Sequence, residues 1–309
     1  MRVIFMGTPD FAVPSLEALL TKHEVVLVVT QPDKPKGRGK KMVPTPVKAC
    51  ALEHGIPVLQ PEKVKEPEFV EQLRSYEPDL IAVTAFGQIL SEPILEMPKY
   101  GCINVHGSLL PKYRGAAPMQ WSIIDGEKVT GITTMYMAKG LDSGDMLLKA
   151  EVEITDEDTF ATIHDKMAVT GANLLLDTLD QLEAGTLERI PQDHDAATYA
   201  PMITKETGHI DWSKNRQDII NLIRGLNPVP AAYTIYEEEV LKIFGAVISD
   251  VQADDAANGE IVAVVKKGFV VKCGDGCLLI TEVQARGGKR MMTDAYLRGH
   301  AMKESILLQ

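Results

Sequence analysis

The chain opens Met1-Arg-Val-Ile-Phe-Met-Gly-Thr-Pro-Asp-Phe-Ala-Val-Pro-Ser-Leu-Glu-Ala-Leu-Leu20, and this stretch decides the fold. Val3-Ile4-Phe5-Met6 is a continuous apolar run, the pattern of a strand covered on both faces. Gly7-Thr8-Pro9 breaks it. Pro14 stands where a helix begins, and Leu16, Leu19 and Leu20 fall on one helical face. The unit then repeats: residues 25–30, 56–59, 80–83 and 102–105 read as further apolar strands, with helical patterns between them. This alternation predicts an α/β fold, a Rossmann-like, mostly parallel sheet with helices on both faces. Ligands bind such sheets beyond the C-terminal ends of the strands. Gly7-Thr-Pro-Asp10 lacks the Gly-x-Gly-x-x-Gly spacing, so nicotinamide chemistry is not expected.

The strand at 102–105 runs into Asn104-Val-His-Gly-Ser-Leu-Leu-Pro-Lys-Tyr-Arg-Gly-Ala-Ala-Pro118. In a strand, Asn104 and His106 leave the same face. An amide donor and an imidazole together at a strand end suit the oxyanion of an acyl transfer. An isolated Asn-x-His is more simply a buried pair bonded to nearby backbone, but here Lys112 and Arg114 share the loop. Gly140-Leu-Asp-Ser-Gly-Asp145 follows a second strand-like run, at 130–137, and offers an acidic partner. A carboxylate there would orient the imidazole or favour its charged form. Spacing alone leaves Asp142 and Asp145 equal, and either can be a turn aspartate capping its own loop.

After Trp212 the pattern changes. Residues 216–224 read as one helix, and about five short strands follow at 232–236, 240–247, 260–265, 269–273 and 277–283. Turns of Gly, Asp and Asn separate them, which predicts a small C-terminal β-barrel of the OB type. A helical stretch at 155–184 has Thr155 as its expected cap, and the polar run 192–199 reads as a linker. The expected domains are 1–189, a linker at 190–206, and 207–309. Cys50 and Cys102 read as core thiols. Cys273 and Cys277 read as a cross-strand thiol pair without metal, since no further zinc ligands stand nearby.

A net charge of −11 argues against a general nucleic-acid binder. The excess acid lies early, because residues 207–309 carry 12 Lys and Arg against 13 Asp and Glu. Within the acidic part, residues 31–48 hold six basic side chains against Asp33 alone. Prolines and glycines there rule out a helix or central strand. No apolar run approaches the ~20 residues of a membrane span. The start of the chain reads as a strand, not a signal peptide. Few cysteines and no such signal predict a cytoplasmic protein.

The combination of Asn104-x-His106, Ser108-Leu-Leu-Pro-x-Tyr-Arg-Gly115 and Leu141-Asp-Ser-Gly-Asp145 resembles the folate-dependent formyltransferases. Phe5–Ala12, Thr30–Lys41, Thr84–Leu90 and His209–Trp212 extend the resemblance along most of the chain. It implies catalytic roles for Asn104, His106 and Asp142. It implies a folate site from Ser108, Leu109, Leu110 and Pro111, with Phe86, Gly87, Gln88, Ile89 and Leu90 and with Lys139, Gly140 and Leu141. The implied donor is 10-formyltetrahydrofolate, without a metal, and the implied acceptor is the amine of initiator methionyl-tRNA. Arg38, with Lys36, Lys40 and Lys41, would enter the acceptor stem, and Lys289 and Arg290 would contact phosphate. A monomer is expected, with no membrane partner. A formyltransferase or formyl-folate hydrolase acting on a small molecule, or a non-enzymatic RNA-binding protein, is an alternative. The basic 31–48 segment and the barrel weigh against the first, the charge and the Asn-His-Asp set against the second.

Overall fold

The apolar runs become a seven-stranded sheet in a computed structural model that describes residues 1–36 and 41–309. The strands are β1 (Arg2–Gly7), β2 (Glu24–Val29), β3 (Val58–Leu59), β4 (Leu80–Thr84), β5 (Cys102–His106), β6 (Val129–Tyr136) and β7 (Met146–Glu153). Their spatial order is β7-β6-β5-β4-β1-β2-β3. β1 to β5 are parallel, while β6 and β7 run antiparallel at one edge. The expected mostly parallel sheet is therefore present.

Helices cover both faces. On one, Ile4, Met6, Ile81, Val83 and Cys102 form a core with Val70 and Leu73 of the helix Pro67–Arg74. On the other lies the helix Phe160–Ala184. A Cβ on its Gly171 would stand 2.9 Å from Val105, and Thr178 and Thr134 share a 2.8 Å hydroxyl bond. Each fully buried Ile, Leu or Phe contributes about 1.5–3 kcal/mol. The helix starts five residues later than expected. The Thr155 N–H and hydroxyl both donate to Asp158 Oδ2 at 2.9 Å. That local turn competes with helix, and the start passes to Thr159, whose hydroxyl accepts from Thr162 N–H at 3.5 Å.

The basic segment carries a two-stranded antiparallel ribbon, Lys34–Lys36 with Lys41–Val43, outside the main sheet. Its base is tied down. Lys48 Nζ donates to Asp33 Oδ2 at 2.6 Å and to Gln60 Oε1 at 2.7 Å, and Gln60 Nε2 donates to Asp33 Oδ1 at 2.7 Å. The Lys48 and Gln60 hydrogen bonds hold the Asp33 carboxyl below its ordinary range.

The chain forms two bodies. The first contains Met1–Pro118, Val129–Glu153 and His164–Ala200; the second contains Met119–Lys128, Ile154–Ile163 and Pro201–Gln309. Among the described residues no helix is long and apolar enough to cross a membrane.

The second body holds β8 (Ala232–Tyr236), β9 (Glu239–Ser249), β10 (Ile261–Val265), β11 (Gly268–Cys273) and β12 (Gly276–Ala285), all antiparallel, in the order β8-β9-β12-β11-β10. The two outer strands are joined through residues 305–309. Ile235 and Gln309 exchange backbone hydrogen bonds of 2.6 and 3.1 Å. Ile261 N–H donates to Ile306 O at 2.9 Å, and Leu308 N–H to Gly259 O at 2.8 Å. This closing segment turns an open sheet into a barrel around Trp212, Phe269, Ile280 and Leu308. The cysteines are offset: Cys273 pairs with Gly276, and Cys277 with Lys272. Adjacent positions alternate faces, so the two thiols do not face each other across the hairpin, contrary to the expected pair.

Candidate active site

Cys102, Asn104 and His106 share one face of β5. Cys102 lies in the core, and burial pushes its thiol up to about 12. Towards the strand end the same face opens. Asn104 is half-buried and makes no side-chain hydrogen bond to any described residue. His106 is 5% exposed. Its Nε2 lies 3.0 Å from the Tyr113 carbonyl oxygen. A carbonyl only accepts, so Nε2 carries a proton. Nδ1 faces Asp142 Oδ2 at 3.7 Å, too long for a hydrogen bond and short enough to close on a charged ring.

Asp142 sits at φ 44°, in the left-handed region that Asp tolerates better than most residues. Its Oδ2 accepts the Gly115 N–H at 2.8 Å. Asp145 is engaged elsewhere: its Oδ2 accepts from Arg189 Nε at 3.0 Å, and that guanidinium also lies 4.4 Å above the Tyr136 ring. Geometry thus brings Asp142, and not Asp145, to His106.

The Asp142 loop does not leave the sheet at the C-terminal ends of the parallel strands. β6 is antiparallel, and its last residue, Tyr136, pairs with Ile103 near the start of β5. The loop therefore runs back along β5 to reach His106.

The residues expected to bind folate divide into those that build the loops and those that are presented. Ser108 is buried, and its hydroxyl donates to Lys112 O at 2.6 Å. Thr133 Oγ1 donates to Ser108 O at 2.7 Å and accepts from Leu110 N–H at 3.1 Å. Leu110 packs on Met135 and Met146, while Leu109 and Pro111 are half-buried. Phe86 and Leu90 belong to the core. The Phe86 carbonyl accepts from Thr8 Oγ1 at 3.0 Å and Gln31 Nε2 at 3.3 Å. Gln88 is turned to the 61–64 segment, accepting from Val64 N–H at 2.8 Å and donating to Pro61 O at 3.1 Å. Gly87 takes φ 84°. Ile89 and Leu141 are 83% and 59% exposed, with Lys139 and Gly140 exposed beside Leu141. Ile89 and Leu141 are the large apolar side chains that this set offers to a ligand.

Among the basic residues expected at tRNA, Arg38 and Lys40 lie outside the described residues, as do the side chains of Lys36 and Lys41. Lys289 is exposed. Arg290 is engaged within the barrel: it donates to both Glu282 oxygens at 2.7 Å, to Asn227 Oδ1 at 3.0 Å, and covers the Phe244 ring. The sequence did not mark Thr133 or Gln192, and it offered Arg114 only as a charge on the loop, whereas the side chain is turned inward onto Gln192 and His194. Nothing in the polar run around Gln192 marked it.

Two family descriptions match: formyl transferase over residues 1–179, and formyl transferase C-terminal domain over residues 202–301. The chain belongs to the formyl transferase family. Within that family it is 53% identical to the methionyl-tRNA formyltransferase of Acetivibrio thermocellus over 309 residues, covering 100% of this chain and 99% of the relative. The formyl transferase fold also appears in the N-formyltransferase of Helicobacter canadensis, solved with folinic acid and dTDP-3-aminofucose. That protein has a TM-score of 0.66 at 19% identity, with 94% of this chain and 100% of that chain covered. HypX from Aquifex aeolicus, solved with tetrahydrofolic acid, gives a TM-score of 0.63 at 17% identity over 96% of this chain. The formyl transferase described here spans only 47% of HypX.

Proposed function

We propose that this chain transfers the formyl group of 10-formyltetrahydrofolate to the α-amine of initiator methionyl-tRNA, in the cytoplasm and as a monomer. The observation that carries this reading is the likeness, end to end, to a methionyl-tRNA formyltransferase. The strand-end geometry supplies the chemistry. The amine nitrogen attacks the formyl carbon, and the formyl oxygen gathers charge in a tetrahedral intermediate. The free Asn104 amide donates to that oxygen. His106 Nε2–H is spent on Tyr113 O, so Nδ1 is the ring atom that takes the ammonium proton, directly or through water. Asp142 then stabilises the imidazolium. The C–N10 bond breaks, and the proton passes to N10 of the leaving tetrahydrofolate. One oriented donor and one proton carrier are each worth about 10²-fold or more.

The folate ring would lie between the exposed Ile89 and Leu141, against backbone at 86–90 and 139–142. Arg38, with Lys36, Lys40 and Lys41, would grip the acceptor stem, and Lys289 would add a phosphate contact. The test is direct: methionyl-tRNA and uncharged tRNA are each incubated with 10-formyltetrahydrofolate. Formyl should appear on the aminoacyl-tRNA only. Transfer to a free amino-sugar nucleotide instead of the charged tRNA would refute the acceptor.

A further inference from the structure

The loop that carries Asp142 is held from behind by one side chain. Gln192 is 6% exposed. Its Nε2 donates to Asp142 O at 2.8 Å and to Gly144 O at 2.7 Å. Its Oε1 accepts from Arg114 Nε at 3.0 Å and Nη2 at 2.7 Å. Arg114 is 3% exposed and also donates from Nη2 to His194 Nδ1 at 3.1 Å. The residue after it, Gly115, gives its N–H to Asp142 Oδ2. The amide of Gln192 therefore has both oxygen and nitrogen fully used.

The segment around it is pinned on both sides. Met146 and Ile190 exchange backbone bonds of 2.8 and 2.9 Å. Tyr199–Ala200 pairs in parallel with Arg114–Gly115, and Tyr113 N–H donates to Thr198 Oγ1 at 2.9 Å. A rigid strip thus aims Gln192 at the loop. A buried guanidinium on its oxygen polarises the amide and strengthens the two bonds it donates.

We propose that Gln192 is a positioning residue for formyl transfer, which sets the distance between Asp142 and His106 by clamping the Asp142 and Gly144 carbonyls. The proposal rests on the formyltransferase reading above. The loop needs such a clamp because it travels back along β5 from Ile103 to His106 with no strand pairing of its own. The 3.7 Å gap between His106 Nδ1 and Asp142 Oδ2 leaves little tolerance, since a shift of about 1 Å can cost ~10²-fold in rate.

Gln192→Glu separates positioning from folding. It keeps an oxygen for Arg114 and pairs that buried cation with an anion. It loses both donated bonds and sets an oxygen against two carbonyl oxygens. Gln192→Leu removes the same donors without adding charge and serves if the first variant is unstable. Rates are normalised to the folate-binding fraction. In either variant, kcat for methionyl-tRNA should fall ~10–10²-fold, with KM for both substrates nearly unchanged and the pH profile of kcat displaced. In an Asp142→Asn background the same change should cost less than ~3-fold, because both act on one step. Wild-type kcat in a folded Gln192→Glu enzyme, or an equal loss in both backgrounds, would overturn the proposal. Failure of the wild type to formylate methionyl-tRNA would instead overturn the functional reading.

Discussion

Asp142→Asn removes one charge and little else. The amide oxygen can still accept the Gly115 N–H, so the loop keeps its anchor. What disappears is the anion 3.7 Å from His106 Nδ1. At that separation, with an effective dielectric near 20, opposite charges attract by ~4 kcal/mol, or about 10³-fold in rate if the whole term acts on the step that charges the ring. Asp142 is partly solvated, so ~10²-fold is the lower bound expected. Asp145→Asn is the control. Asp145 pairs with Arg189, whose side chain is 61% exposed, and such pairs are worth at most about 1 kcal/mol. Its loss should cost under ~5-fold. The assay is single-turnover formylation of methionyl-tRNA at saturating 10-formyltetrahydrofolate, with each variant's fold checked by circular dichroism. An Asp142→Asn rate within ~3-fold of wild type, or a larger loss in Asp145→Asn, would refute the pairing of Asp142 with His106 as the working couple.

Three further outcomes follow from the same geometry. Lys289→Ala should weaken methionyl-tRNA binding and lower the slope of log affinity against log salt by about 0.7–0.9, whereas Arg290→Ala should chiefly lower the barrel's melting temperature, because its charge already serves Glu282; both are read by a salt titration beside a melting curve. Removing residues 306–309 should destabilise the second body by on the order of 3–5 kcal/mol, from the lost burial of Leu308 and the closing hydrogen bonds, as denaturant unfolding would report. Burial pushes the Cys102 and Cys273 thiols up to about 12, so both stay protonated at pH 8 and should react with a thiol reagent only after denaturant is added; rapid labelling of the native protein at these sites would contradict their burial.

The parts legible in the sequence are those set by apolar periodicity. The runs at 3–6, 80–83 and 102–105 became β1, β4 and β5 within a residue or two, because a strand buried on both faces reads as a near-continuous apolar run, interrupted in β5 only by Asn104 and His106 of the site. The five barrel strands were legible through their turn residues. Contacts between distant segments were not. The closure by residues 305–309 rests on backbone bonds, which leave no side-chain pattern. Thr155 looks like a cap until Asp158 takes its hydroxyl. Asn104 and His106 could be paired by the two-residue period alone, but choosing Asp142 over Asp145 needed the resemblance or the position of Arg189. Gln192 was invisible because a polar residue in a polar run reads as solvated chain, whereas its amide is buried against the Asp142 loop.

The central claim, that His106 is the proton carrier of formyl transfer to methionyl-tRNA, meets its most direct test in His106→Ala under single-turnover conditions with both substrates saturating. The rate should fall by at least ~10²-fold, with methionyl-tRNA affinity almost unchanged. A folded His106→Ala enzyme that formylates methionyl-tRNA at close to the wild-type rate would contradict it.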